Sequence, residues 1–191
     1  MASELPLATV ITVDSSVVYD SSGTGVRFFD FDSWARNNVV PGCDHVSKID
    51  LLATDSRASR TTWFIEVKDF RYIHHKPREK NTIKIADTLE GKIRGTLALL
   101  THPDCLQDVK EMYSAAGTNY FLYHYEKPLN ATHSAYFPAG YPVNALLALR
   151  QRPEISSVFH KMYAATAADM NASDVYPWSV ELLDSRNNTT A

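Results

Sequence analysis

Two apolar runs, Lys48 to Thr54 and Thr61 to Phe70, flank the polar stretch Asp55 to Arg60. The second run is rich in β-branched and aromatic residues, and a polar stretch this short joins neighbouring antiparallel strands. The pair constrains the fold strongly, because a strand's period of two decides which residues share a face. In the second run Glu66 and Lys68 take one face, while Trp63, Ile65 and Val67 take the other, which can be buried. A turn symmetric about Ala58 sets Asp50, at the head of the first run, opposite Glu66. Side chains opposed in this way lie about 5 Å apart at Cβ.

Around this hairpin the chain alternates between strand and helix patterns. Ala8 to Val13 and Val17 to Tyr19 read as a strand pair, and Ser21 to Gly25 as turn material. Phe28, Phe31, Trp34, Ala35 and Val39 have helical spacing, so a helix is expected from Phe28 to Val40, capped by Asp30 or Asp32 and stopped by Pro41-Gly42. A helix from about Thr82 to Thr101 carries Ile85, Leu89, Ile93, Leu97 and Leu100 on one stripe. Gly91, Gly95 and Ala98 form a small-residue edge on it, which permits close backbone approach. A shorter helix, Cys105 to Ala116, leads to a strand at Tyr120 to Tyr125. Helices are expected again at Val143 to Arg150 and Glu154 to Ala168. The fold class is therefore α/β: one domain over 1–191 with a central mixed sheet flanked by helices, and a helical C-terminal extension over about 142–184.

Composition excludes several classes. In 191 residues, hydrophobic residues at 45% and charged residues at 21% are ordinary for a globular chain and unlike a disordered one. Cys43 and Cys105 belong to no ligand cluster and suit a reducing compartment as buried, inert thiols. No apolar run approaches the roughly 18 to 20 residues that span a bilayer. The first residues lack the basic start of a signal peptide, so a cytoplasmic protein with no membrane partner is expected. The formal net charge of -3 does not suit nonspecific coating of nucleic acid. Between positions 68 and 94, however, eight Lys and Arg face four acids, a local balance of +4. Such a basic surface on an acidic chain either binds an anion or is a solvated loop and helix face.

The chemistry follows from the hairpin. Two carboxylates this close repel unless a cation lies between them. A hard divalent ion such as Mg²⁺ or Mn²⁺ takes one or two carboxylates and keeps several waters. It stabilises charge on a phosphorane-like transition state and lowers the pKa of a bound water, which Lys68 would orient. The alternative for Asp50, Glu66 and Lys68 is a cross-strand ion pair on an exposed sheet face. The acid-x-Lys triplet itself recurs at Glu90-Gly91-Lys92 and Asp108-Val109-Lys110 in helical contexts. Only Glu66-Val67-Lys68 closes an apolar strand with an acid heading its partner.

Asp50, a hairpin, Glu66-Val67-Lys68, a helix and another strand together resemble the PD-(D/E)XK nuclease superfamily. The resemblance covers roughly Asp30 to Glu126, with Ile49 where the name-giving proline would stand. It implies a restriction-endonuclease-like fold with a nuclease core over about 26–127 and metal-dependent hydrolysis of phosphodiester bonds, in DNA first. It implies that Asp50 and Glu66 bind Mg²⁺ or Mn²⁺, that Lys68 assists the attacking water, and that a further acid, Asp32 or Asp30, comes from the first helix. It also implies a basic or polar residue on the crossover helix: Lys84, Lys92 or Arg94.

Arg71, Lys76, Arg78, Lys80, Lys84, Lys92 and Arg94 are the expected contacts to the phosphate backbone. A homodimer formed through the C-terminal helices would allow both strands to be cut. The rival reading is an inactive nuclease-like module that binds nucleic acid or a protein; a third is an enzyme acting on RNA.

Overall fold

A computed structural model describes residues 5–13, 17–38, 40–43, 45–55, 61–69, 82–113, 117–125, 141–165 and 178–182. Strands β1 (Val10–Val13), β2 (Val17–Asp20) and β3 (Val26–Asp30) are followed by helix α1 (Phe31–Asn37). Strands β4 (Leu51–Asp55) and β5 (Thr61–Asp69) lead into the long helix α2 (Thr82–Thr101) and the short α3 (Gln107–Met112). Strand β6 (Thr118–Tyr125), helices α4 (Tyr141–Arg150) and α5 (Pro153–Ser156), and strands β7 (Lys161–Ala165) and β8 (Ser179–Leu182) complete the order.

The central sheet runs β3-β4-β5-β6-β7. Its first two pairings are antiparallel and its last two parallel, so it is mixed. Each parallel pairing requires a crossover. Helices α2 and α3 lie between β5 and β6 in the chain, and α4 and α5 between β6 and β7. A second, antiparallel sheet runs β1-β2-β8.

The two faces of β5 feed two separate cores. Phe64 joins Phe29, Leu52 and Met162 beneath Ile85, Leu89, Ile93, Leu146 and Leu149 of the helices. Trp63, Ile65 and Val67 join Phe28, Leu51 and Ala53 against Val17, Tyr19, Trp178 and Val180. The layers are thus helices, five-stranded sheet and three-stranded sheet. A central strand covered on both sides reads as a continuous apolar run, which is why 63–67 carries only one ionisable residue.

Two sequence expectations are corrected, and a third, the choice of cap between Asp30 and Asp32, is decided. The stretch 28–30 is strand: Phe28 and Phe29 point into opposite cores, and the helix begins only at Phe31. Asp30 rather than Asp32 is the N-cap, its carboxylate accepting the Ser33 N–H at 2.9 Å. The helical C-terminal extension is not an extension. Residues 161–165 form β7, which pairs in parallel with β6, and 179–182 form β8, which pairs with β2. Helix-favouring Ala164 and Ala165 are overridden by pairing partners some forty residues upstream. Ala145, Leu146 and Leu149 of α4 are buried in this chain's own core, while Leu147 on the same helix is exposed. Among the described residues no helix is long and apolar enough to cross a membrane.

Candidate functional site

The hairpin register pairs Leu51 with Ile65 and Asp55 with Thr61. Extended by one step, it sets Asp50 opposite Glu66, as a turn centred on position 58 dictates. Asp50 stands one residue ahead of β4 and is held from three sides. Its carbonyl accepts the N–H groups of Phe31 and Asp32, each at 3.2 Å, tying it to the start of α1. Its Oδ2 accepts the Val67 N–H of β5 at 2.6 Å. Its Oδ1 accepts from Lys92 Nζ of α2 at 3.0 Å.

Lys92 joins the two acids. Its Nζ lies 2.7 Å from Glu66 Oε1 as well as 3.0 Å from Asp50 Oδ1. The Glu66 side chain is 0% exposed, Asp50 14% and Lys92 19%, so the group opens to solvent only through Asp50 and Lys92. Burial works against the ammonium's charge. The charge of Glu66 and then of Asp50 outweighs it, together with their hydrogen bonds, and holds the Lys92 pKa above the ordinary lysine value. Lys92 is therefore charged throughout the neutral range, and with the two carboxylates ionised the trio carries a net -1.

Helix α2 is fixed against the segment that precedes β4. A Cβ on Gly95 would stand 2.0 Å from the Ser47 carbonyl oxygen, so only glycine permits this approach. One residue on, Thr96 Oγ1 accepts the Ile49 N–H at 3.0 Å in a buried setting. Gly95 is one helical turn from Lys92, so the contact that admits the backbone also aims the lysine at Asp50. Of the small-residue edge only Gly95 has this role; a Cβ at Gly91 would meet nothing within 4 Å.

The other expected site residues fall differently. Lys68 belongs to β5, two residues beyond Glu66, and its side chain is outside the described residues, as is that of Lys84. Arg71, Lys76, Arg78 and Lys80 lie outside the described residues altogether. The Asp32 carboxylate pairs with Arg36 on its own helix. Among the described residues no group of three or more His, Cys, Asp and Glu side chains converges on a metal-sized space. Arg94 bonds Glu90 at 2.6 Å and also pairs with Glu154, and Arg152 pairs with Asp87 at 2.6 Å and with Glu90. The two described cations of the basic segment are thus matched by acids from β5, α5 and the head of β4, which a local charge count does not include. Cys43 and Cys105 are buried free thiols, and burial pushes the Cys105 pKa up.

From the sequence, Lys92 is an expected phosphate contact and one of three candidates, with Lys84 and Arg94, for a basic residue of the crossover helix, while Lys68 is the cation expected beside the water. The signal for Lys92 was present but weak: a lysine one turn before a glycine on an apolar helix. Two carboxylates, one fully buried, form a hard-oxygen donor pair of the kind that small divalent ions take. Their charge exceeds what Lys92 balances, so the donor set fits such an ion. No protein-family model, curated protein or solved structure matches the chain.

Proposed function

We propose that this protein is a metal-dependent nuclease with a restriction-endonuclease-like core, hydrolysing phosphodiester bonds in DNA. One observation carries the reading: Asp50, just ahead of β4, and Glu66, in the second half of the neighbouring β5, approach each other closely enough to share one ammonium. Asp50 and Glu66 would hold Mg²⁺ or Mn²⁺, which supplies charge stabilisation and an acidified water when bound. Asp50 is kept in orientation by the Val67 N–H and by α1, so the pair is organised before any ligand arrives. Lys68 follows Glu66 on the same strand and would orient the attacking water.

The test is cleavage of plasmid and single-stranded DNA with Mg²⁺ or Mn²⁺. Wild type should cut, Asp50→Ala and Glu66→Gln should lose at least about a hundred-fold, and Lys68→Ala on the order of a hundred-fold. Equal rates in wild type and Lys68→Ala would remove Lys68 from the chemistry, and an inert wild type would remove the nuclease.

The position of Lys92 favours a second reading. An ammonium already between the acids makes a closed ion trio, as in a nuclease-like module that binds nucleic acid or a protein without cutting. Such a module would show no stabilisation by Mg²⁺ or Mn²⁺.

A further inference from the structure

We infer that the Lys92 ammonium is an exchangeable counter-ion: it and a divalent cation occupy the same gap between Asp50 and Glu66 and exclude one another. The inference rests on the metal-binding part of the reading above. Asp50 Oδ2 is engaged by the Val67 N–H at 2.6 Å, so Oδ1 is the oxygen that faces the gap. Lys92 holds that oxygen at 3.0 Å and Glu66 Oε1 at 2.7 Å. An ion ligated at about 2.1 Å by one oxygen of each acid would fill the space in which Nζ stands. Two cations this close, in a site shut off from water on the Glu66 side, repel strongly.

The helix cannot relieve the conflict by retreating, because Gly95 lies against Ser47 and Thr96 holds the Ile49 N–H. The lysine side chain can. Its four-carbon stem is flexible and its partial exposure marks an exit to solvent. Lys92 thereby solves a problem that the metal-free protein faces, namely a fully buried carboxylate beside a second one. An unbalanced buried charge is far more costly than a paired one. With the ammonium in place, the metal-free chain folds with its acids already converged; with a divalent ion bound, the ammonium is released towards the mouth of the site.

Mn²⁺ binding to the full chain, measured by calorimetric titration, tests this directly. Lys92→Met and Lys92→Gln should bind Mn²⁺ at least about ten-fold more tightly than wild type. Both should be less heat-stable without metal and regain that stability with it. A second readout needs no variant. Reductive methylation of the Lys92 amine, followed by peptide mass spectrometry, should be slow in the metal-free wild type and several-fold faster with Mg²⁺.

Equal or weaker Mn²⁺ binding by both variants, or labelling unchanged by Mg²⁺, overturns the inference. So does the absence of Mn²⁺ binding in every form, which also ends the nuclease reading. Tighter binding by the variants alongside a wild type that cuts no DNA upholds the exclusion and removes only the nuclease. DNA cutting with Mn²⁺ affinity independent of position 92 does the reverse.

Discussion

Replacing Gly95 by alanine should destabilise the protein by about 2–4 kcal/mol, although alanine is the better helix former by about 1 kcal/mol. The new methyl would lie 2.0 Å from the Ser47 oxygen and 3.1 Å from the Ser47 carbonyl carbon and Val46 Cβ. The nearest neighbour is backbone and cannot rotate away, so α2 must retreat by more than about 1 Å to regain ordinary contact. That retreat stretches the Ile49 N–H to Thr96 bond from 3.0 Å and the Lys92 contacts from 2.7 and 3.0 Å past hydrogen-bonding range. Overpacking costs about 1–3 kcal/mol and a lost buried hydrogen bond about 1 kcal/mol, with further loss as the ion trio loosens.

Gly91→Ala on the same helix is the matched control. It is exposed with nothing within 4 Å, so it should gain about 1 kcal/mol. Urea unfolding followed by tryptophan fluorescence measures both, since Trp63 and Trp178 are buried. At about 2–4 °C per kcal/mol for a chain this size, melting should fall by roughly 5–15 °C for Gly95→Ala. A Gly95→Ala protein as stable as wild type, or two variants shifting in the same direction, would refute the docking of α2 on Ser47.

Two further outcomes are expected. The Glu90 pKa is held below the ordinary carboxylate range, chiefly by the Arg94 hydrogen bond, so this contribution is present above the unfolded value and lost as pH falls through the folded one. Arg94→Ala should therefore destabilise the protein only slightly at pH 7 in urea unfolding, and less as pH falls through the folded Glu90 value, because Arg94 and Glu154 are largely exposed; a cost that grows on acidification would contradict this pairing. Asp30→Ala should cost about 1 kcal/mol through loss of the α1 cap, and Asp30→Ser or Asp30→Asn should restore most of it in the same assay.

The register that opposes Asp50 and Glu66 followed from alternation and a symmetric turn, both local properties of 48–70. Helix α2 was equally legible, since its apolar stripe repeats over twenty residues. The start of α1 was not, because Phe28, Phe31 and Trp34 have helical spacing while the backbone at 28 and 29 pairs with β4. Strands β7 and β8 were missed for a related reason. Their short runs acquire strand character only from partners far away in the chain, β6 and β2.

What the sequence determined by itself was the set of local periods: which residues alternate, which repeat every turn, and therefore which side chains travel together on one element. The tertiary structure alone decided which elements meet. Lys92 lies forty-two positions from Asp50 and twenty-six from Glu66, and its neighbourhood along the chain does not single it out from Lys84 and Arg94 as their partner. That partnership exists because a missing side chain at Gly95 lets one helix lie close against Ser47, and close packing of backbone against backbone is a property of two surfaces in contact rather than of either segment alone.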